Sequence, residues 1–198
     1  MGKVRLDISM SLDGFTAGAN VRTDNPLGDG GERLHDWMFS QATETGRGIQ
    51  REVFDGAGAV LMGRRVFDLG KPHWGPETFR RLPVFVITHR PHESVADPGG
   101  SAVTFVSEGI EHAVARARSA AGERDVVVIG GAVAGRQLVA GGFVDELRLH
   151  LVHLLLGSGT PLFEPPGAGF RQLPVTRLVE DTGVTHFTFD ASGPRARS

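Results

Sequence analysis

The stretch DVVVIGGAVAGRQLV, residues 125–139, shows the pattern that decides the fold. Its apolar residues 126–129 run directly into a pair of glycines, and a helix-like pattern follows at once. A short β-branched run bounded by glycine is typical of a buried strand. The glycine pair indicates either that two chain segments pack too closely for a Cβ or that a ligand requires bare backbone there.

The same strand-then-helix unit recurs along the chain. Residues 4–8 alternate apolar and polar side chains, and short apolar runs follow at AVLMG (59–63), VFVIT (84–88) and AVTFV (102–106). Helix-like segments come after these runs, most clearly at residues 109–121. Alternation of strands and helices predicts a mostly parallel sheet that is covered by helices on both faces.

The C-terminal part has a different pattern. Two alternating stretches within residues 170–190 are separated by Asp181-Thr182-Gly183, which predicts an antiparallel hairpin at the edge of the sheet. We therefore predict one α/β domain over residues 1–190, followed by a polar tail over 191–198.

Two segments near the N-terminus are less regular. Residues 10–31 are rich in glycine, asparagine and aspartate, which predicts a long loop. The chain from Glu32 to about Phe54 has a helical pattern, and Gly46 and Gly48 predict a break that divides it into two pieces.

The composition excludes several classes of function. The 198 residues are 40% hydrophobic and 22% charged, and the net charge of −2 gives no reason to expect nucleic acid or an acidic membrane surface as a partner. The absence of cysteine excludes disulfides, thiolate chemistry and cysteine-ligated zinc. No signal peptide or membrane span is visible, since a span needs about 20 apolar residues. We expect a cytoplasmic protein.

Three predicted strands end in residues suited to a phosphorylated ligand. They are LMGRR (61–65), VITHR (86–90) and VIGGAVAG (128–135). Ligands of open α/β sheets bind beyond the carboxyl ends of the strands, where helix amides and arginines meet phosphate. One such strand end is typical of a tight turn, but three of them, two with basic residues, make a ligand site an equal alternative to tight turns.

Two standard phosphate-binding motifs are missing. No G-x-G-x-x-G occurs, so the usual dinucleotide fingerprint is absent. Residues 130–137 read G-x-x-x-x-G-R-Q, which lacks the lysine and the hydroxyl of the phosphate loop that binds nucleoside triphosphates. We expect a nucleotide cofactor that is bound without being cleaved.

Four segments together resemble a known family. SMSLDGFTAG (9–18), VLMGRRVFD (60–68), VFVITHRP (84–91) and residues 126–163 are similar to the dihydrofolate reductase fold, and most of all to the reductase domain of the riboflavin-biosynthesis deaminase/reductase and its stand-alone relatives. The resemblance implies a single three-layer domain and an NADPH-dependent reductase. Its hydride acceptor would be a small heterocyclic or sugar-derived substrate related to that of 5-amino-6-(5-phosphoribosylamino)uracil reductase. The resemblance also implies a homodimer, with the apolar strand 147–156 as a candidate interface.

The resemblance assigns cofactor contacts to individual positions. The glycine pair 130–131 and the helix after it would hold the pyrophosphate, and residues 63–65 would contact its other side. The 88–90 loop would hold the adenosine 2′-phosphate. The 9–17 loop would lie over the nicotinamide. The residues so assigned are Ser9, Ala17, Gly63, Arg64, Arg65, Thr88, His89, Arg90, Gly130, Gly131, Ala132, Val133 and Ala134.

The substrate side departs from the family pattern. Folate reductases carry a carboxylate three residues before a tryptophan, and Leu34 occupies that position before Trp37 here. Asp13 and Asp36 are the candidate proton donors, and each has an alternative reading, Asp13 as a turn cap and Asp36 as an exposed helical acid. Trp37 and Trp74 line a substrate pocket or pack in the core.

Further alternatives remain at this point. The chain is either a reductase, with a riboflavin precursor, dihydrofolate or a pteridine as its substrate, or a non-catalytic module that binds NADP. No deaminase site is present, because that zinc site needs cysteine. We predict no metal site, since His150 and His153 lie three apart on a predicted strand and face opposite sides.

Overall fold

A computed structural model describes residues 2–75, 77–93, 95–96, 100–163 and 172–193. The strands are β1 Val4–Ser11, β2 Phe15–Gly18, β3 Ala57–Gly63, β4 Val84–Ile87, β5 Val95–Ala96, β6 Ala102–Val106, β7 Asp125–Ile129, β8 Glu146–Val152, β9 Gly159–Pro161, β10 Val175–Asp181 and β11 Val184–Asp190. The α-helices are α1 Glu44–Phe54, α2 Arg64–Gly70, α3 Ile110–Ala121 and α4 Ala132–Ala140, and 3-10 helices cover Gly31–Met38 and Lys71–His73.

One sheet runs through the domain in the order β10-β11-β8-β1-β7-β3-β4-β6-β5. The pairs from β8 to β6 are parallel, and the β10–β11 hairpin joins β8 in antiparallel orientation. Both the α/β alternation and the hairpin at the Asp181-Thr182-Gly183 turn are confirmed. Strand β1 therefore lies in the middle of the sheet, between β7 and β8.

Each face of the sheet carries its own helical layer. Val4, Leu6 and Ile8 of β1 pack with buried residues of α3 and with Leu138 of α4. The opposite face of the sheet is covered by α1 and by the Gly31–Met38 helix, which bury Ile49, Val53 and Trp37. Helices thus cover both faces of the central strands, so the domain has three layers.

The N-terminal helical region differs from its prediction. The break lies at residues 39–43, and both Gly46 and Gly48 are inside α1. Thr43 caps α1 by accepting a hydrogen bond from Gly46 N at 2.9 Å. A Cβ on Gly46 would lie 2.7 Å from Trp37 O, so this glycine permits close packing of the two helices and does not interrupt one.

The structure also bears on the expected 10–31 loop, the 147–156 segment and the C-terminal tail. The 10–31 region is not wholly a loop, because β2 pairs there with β9. Strand β8 is paired on both edges, by β1 and β11, so it is covered within the domain, and a dimer interface along residues 147–156 stays a prediction. The start of the expected tail, Ala191, is buried and donates its N–H to Asp145 O at 2.9 Å; residues 194–198 lie outside the described residues.

Candidate active site

The two glycines after β7 have different physical roles. Gly131 has φ +81, and a Cβ there would lie 2.8 Å from Val66 Cγ2 of α2. Gly130 has φ +54, and a Cβ there would meet nothing within 4 Å among the described residues. Gly131 therefore serves close packing between helices, while Gly130 provides a left-handed turn beside open space. Helix α4 begins there without a side-chain cap, so its first amides are available to an anion.

The end of β3 lies directly beside this turn. A Cβ on Gly63 would lie 3.2 Å from Ala134 Cβ, which places the α2 and α4 starts in contact. Ala132 and Ala134 are buried, and Val133 is exposed. The structure therefore brings together the residues at the ends of β3 and β7 that the sequence assigned to the pyrophosphate.

Two basic side chains, Arg64 and His92, lie against the ring of Phe105 near the end of β6. The Arg64 guanidinium carbon lies 5.1 Å from the Phe105 ring centroid, and the His92 ring lies 4.4 Å from it. Arg64 Nε donates to both carboxylate oxygens of Asp68, at 2.7 and 2.8 Å. Sequence reasoning missed His92. The available signal was its position two residues after His89-Arg90, which makes it the third basic residue of this loop.

The 88–90 loop is held by its own threonine. Thr88 is buried, and its Oγ1 accepts a hydrogen bond from Arg90 N at 3.1 Å. His89 and Arg90 are exposed, as is Arg65 after β3. These basic side chains are thus free to face solvent or a ligand at adjacent strand ends, because β4 lies between β3 and β6.

The 9–17 segment is not one loop. Ser9 belongs to β1, where it is opposite His150 of β8, and its Oγ accepts a hydrogen bond from Trp37 Nε1 at 3.2 Å. Its placement in a loop is therefore wrong, while a contact between Ser9 and the nicotinamide stays a prediction. Ala17 lies in β2 opposite Thr160 of β9.

Asp13 connects two loops through hydrogen bonds. Its carboxylate accepts hydrogen bonds from Ser11 Oγ at 2.5 Å, Leu156 N at 3.1 Å and Gly157 N at 2.6 Å. The Ser11 hydroxyl and these backbone amides lower the pKa of Asp13. An ionised acid with three donors fits the turn-cap alternative and makes a poor proton donor at neutral pH.

The other predicted substrate-side residues have packing contacts. Asp36 accepts a hydrogen bond from Ser40 Oγ at 2.6 Å within its own helical turn. Trp37 is only 4% exposed, and its ring lies 4.5 Å from His150 and 4.7 Å from His186. Trp74 packs edge-on against Phe67 and Phe79. Trp37 is therefore a core residue and not an open pocket wall.

The polar face of β1 is a feature that sequence reasoning missed. Arg5, Ser9 and Ser11 are 4%, 6% and 0% exposed, and the side chain of Asp7 is 13% exposed. The signal was present as alternation of polar residues in RLDISMS (5–11), which usually marks a solvated strand face. Because β1 is central and covered on both faces, these polar groups are buried instead.

Asp7 begins a chain of buried side chains that crosses to β8 and β11. His150 Nε2 lies 3.1 Å from Asp7 Oδ1, and His150 Nδ1 lies 2.7 Å from His186 Nδ1. Burial, reinforced by the neighbouring His150, lowers the pKa of His186 to about 4. Burial also lowers the pKa of His35. A small cavity adjoins His150 and His186.

The described residues offer neither a metal site nor a membrane-spanning helix. Within the described part of the chain, no group of three or more histidine, aspartate or glutamate side chains could hold a metal ion. Among the same residues, none of the helices has the length and apolar character needed to cross a bilayer.

A second cavity, of about 410 Å³, opens at the opposite end of the strands, beside Lys3 and Glu146.

Comparison with known proteins gives the family. The model of the RibD C-terminal domain matches residues 2–188. The chain belongs to the RibD C-terminal domain family. The expected resemblance is therefore confirmed over nearly the whole chain.

Solved structures confirm the fold. A candidate riboflavin biosynthesis protein from Shewanella sp. PV-4 is 22% identical, with a TM-score of 0.71 over 95% of this chain and 98% of that one. The diaminohydroxyphosphoribosylaminopyrimidine deaminase/5-amino-6-(5-phosphoribosylamino)uracil reductase of Thermotoga maritima is 14% identical, with a TM-score of 0.64 over 96% of this chain and 56% of that one. Dihydrofolate reductase from Enterococcus faecalis, in complex with NADP(H), is 15% identical, with a TM-score of 0.61 over 96% of both chains. The predicted dihydrofolate reductase-like fold is thus confirmed.

Proposed function

We propose that this chain is an NADPH-dependent reductase. In the proposed reaction a small heterocyclic or sugar-derived compound, related to 5-amino-6-(5-phosphoribosylamino)uracil, gains a hydride at a C=N or C=O carbon. Membership of the RibD C-terminal domain family supports an oxidoreductase. A neighbour of the same fold was solved with NADP(H).

The observation that carries the proposal is the contact between the β3–α2 and β7–α4 junctions. Gly63 approaches Ala134, and Gly131 approaches Val66, so the two strand ends share one surface. That surface has uncapped α4 amides beside a glycine that faces open space. These groups fit a pyrophosphate, because backbone N–H groups at a helix start bind anions.

The basic side chains Arg64, His92 and Arg90 fit the additional phosphate of NADPH. Arg64 lies over the ring, His92 lies beside it, and the exposed Arg90 is on the same loop as His92. Guanidinium groups bind phosphate oxygens in pairs, and NADH lacks the 2′-phosphate that they would contact. When bound, NADPH would supply the hydride, while this chain's residues orient it and exclude water.

The test is a titration of the full chain with NADPH and, in parallel, with NADH, followed by tryptophan fluorescence. We expect NADPH to bind more tightly than NADH by at least tenfold, about 1.4 kcal/mol. NADPH absorbance is then followed with 5-amino-6-(5-phosphoribosylamino)uracil and with 7,8-dihydrofolate. Failure to bind either nucleotide would overturn the proposal. Tight NADPH binding without oxidation by either compound would favour the non-catalytic module instead.

A further inference from the structure

Asp7 is an acidic residue on a strand that is covered on both faces. Its Oδ1 accepts a hydrogen bond from His150 at 3.1 Å, and its Oδ2 is buried without a hydrogen-bond partner among the described residues. The side chain retains 13% exposure. A buried carboxylate oxygen without a donor is costly, so its presence calls for an explanation.

The position of Asp7 suggests that explanation. In the β1–β7 register Asp7 is opposite Ile129, the last residue before the glycine pair. Asp7 O accepts a hydrogen bond from Gly130 N at 3.4 Å. Paired residues of parallel strands point to the same face, so the carboxylate and the Ile129 side chain share the face under α1. Asp7 thus adjoins the strand end that the proposed function assigns to the cofactor.

The two histidines fix the orientation of this carboxylate. A carboxylate oxygen accepts a hydrogen bond, so neutral His150 carries its proton on Nε2. Its Nδ1 is then an acceptor, and the 2.7 Å contact with His186 requires the proton of His186 to be on Nδ1. His186 Nε2, which is buried without a partner among the described residues, is then the unprotonated nitrogen.

We propose that Asp7 is the catalytic acid of the reduction, and that His150 and His186 are its positioning residues. This inference rests on the proposed function. The hydride brings the electron pair of the new C–H bond, and the π pair of the substrate forms the new N–H or O–H bond with the proton of Asp7 Oδ2. Asp7 is left as a carboxylate and regains a proton from water. Oδ1 accepts from His150 in both states, so proton exchange takes place at Oδ2.

This assignment favours Asp7 over the two acids chosen from sequence. The Asp13 carboxylate already accepts hydrogen bonds from two backbone amides and a hydroxyl. The Asp36 carboxylate accepts one from the nearby Ser40 hydroxyl. Asp7 alone of the three lies beside Gly130 in the sheet.

The first test does not depend on turnover. Two-bond 1H–15N spectra of the histidine rings report the tautomers directly. We expect an Nε2–H tautomer for His150 and an Nδ1–H tautomer for His186 in the wild type. Asp7→Asn should retain both, because the amide oxygen still accepts from Nε2, while Asp7→Leu should release His150 from this state. The opposite tautomers in the wild type would overturn the proposed chain.

The second test uses whichever compound the wild type reduces. Asp7→Asn should lower kcat by at least about 100-fold with unchanged NADPH affinity, because general acid catalysis contributes 10²–10⁴-fold. The pH profile of kcat should differ between the wild type and Asp7→Asn. His186→Phe retains an aromatic contact with Trp37 and should lower kcat without loss of NADPH binding. Asp55→Asn, an exposed acid that pairs with Arg80, serves as the matched control.

The outcomes separate the two proposals. A wild type that neither binds nor oxidises NADPH overturns the proposed function, and the role of Asp7 as an acid falls with it. Full turnover by Asp7→Asn, with wild-type pH dependence, overturns the inference and leaves the reductase intact. A fall in kcat that is matched by Asp55→Asn also overturns it.

Discussion

His150 and His186 meet through their Nδ1 atoms, 2.7 Å apart, inside the sheet. They are directly opposite each other on β8 and β11, and Trp37 packs against both rings. A contact of this length between two ring nitrogens requires one shared proton. Protonation of His186 would place a buried cation against the ring of His150, which is unfavourable.

The first prediction concerns stability at acid pH. The pKa of His186 is lowered to about 4 from its ordinary 6.5, so the unfolded chain binds this proton more readily than the folded one. The resulting stability is complete above pH 6.5 and is lost as pH falls towards 4, by about 3 kcal/mol at full effect. Burial lowers the pKa of His35 too, so its contribution has the same sign. Urea unfolding at pH 7 and pH 4.5 measures the loss.

The control for this prediction is His186→Phe, which removes the ionisable ring. Its free energy of unfolding should change less between the two pH values than that of the wild type, since carboxylates common to both proteins cancel in the comparison. An equal pH dependence in both proteins would contradict the assignment to His186.

The second prediction concerns cofactor binding by Arg64, which lies over the Phe105 ring, and by Arg90 of the 88–90 loop. Arg64→Ala and Arg90→Ala should each weaken NADPH binding roughly tenfold and reduce the preference over NADH, because each removes a phosphate-binding cation. Arg47→Ala is the control, since Arg47 lies on α1 and donates to Ala42 O. Unchanged NADPH affinity in both site variants would show that the cofactor does not use this surface.

The third prediction separates the two glycines. Gly131→Ala would adopt φ +81 with its Cβ 2.8 Å from Val66, whereas Gly130→Ala would adopt φ +54 in open space. The left-handed conformation alone costs about 1–2 kcal/mol, so Gly131→Ala should be more destabilising because it adds a steric clash. Chemical denaturation measures the difference. Val66→Ala should recover part of the loss in Gly131→Ala and none in Gly130→Ala.

The fourth prediction concerns Asp13. Asp13→Ala should speed hydrogen exchange at the Leu156 and Gly157 amides, which donate to this carboxylate. Because the pKa of Asp13 is lowered, the wild type should retain this protection into mildly acid solution and lose it as the carboxylate is protonated. Asp24→Ala, at an exposed residue paired with Arg22, should leave both amides unchanged. Equal exchange rates in wild type and Asp13→Ala would mean that Asp13 does not anchor the loop.

Much of the fold followed from local patterns. The strand-then-helix units, the glycine-ended strands and the Asp181-Thr182-Gly183 turn each depend on neighbouring residues, so the sequence was enough to predict them. Gly46 shows where that approach fails. Its close contact is with Trp37 O, on a separate helix, and no local pattern distinguishes such a glycine from a helix breaker.

The site was only partly predictable for the same reason. The sequence identified the ends of β3, β4 and β7, because basic residues directly follow β3 and the Thr88 that ends the β4 run, and a glycine pair follows β7. It placed Ser9 in a loop and overlooked Asp7, because alternation shows which residues share a strand face but not what covers that face. In the fold, pairing of β1 with both β7 and β8 buries the face that carries Arg5, Asp7 and Ser9.

The sequence by itself thus determined the class of the fold, the order of its elements and the strand ends that carry glycines and basic residues. Only the tertiary structure decided that Gly131 serves packing while Gly130 faces open space, and that Asp7, His150 and His186 form one buried chain. Those three residues are separated by up to 179 positions and meet only because β1, β8 and β11 are neighbours in the sheet. Strand order is set by long-range burial of apolar surface, which the local alternation of side chains does not encode.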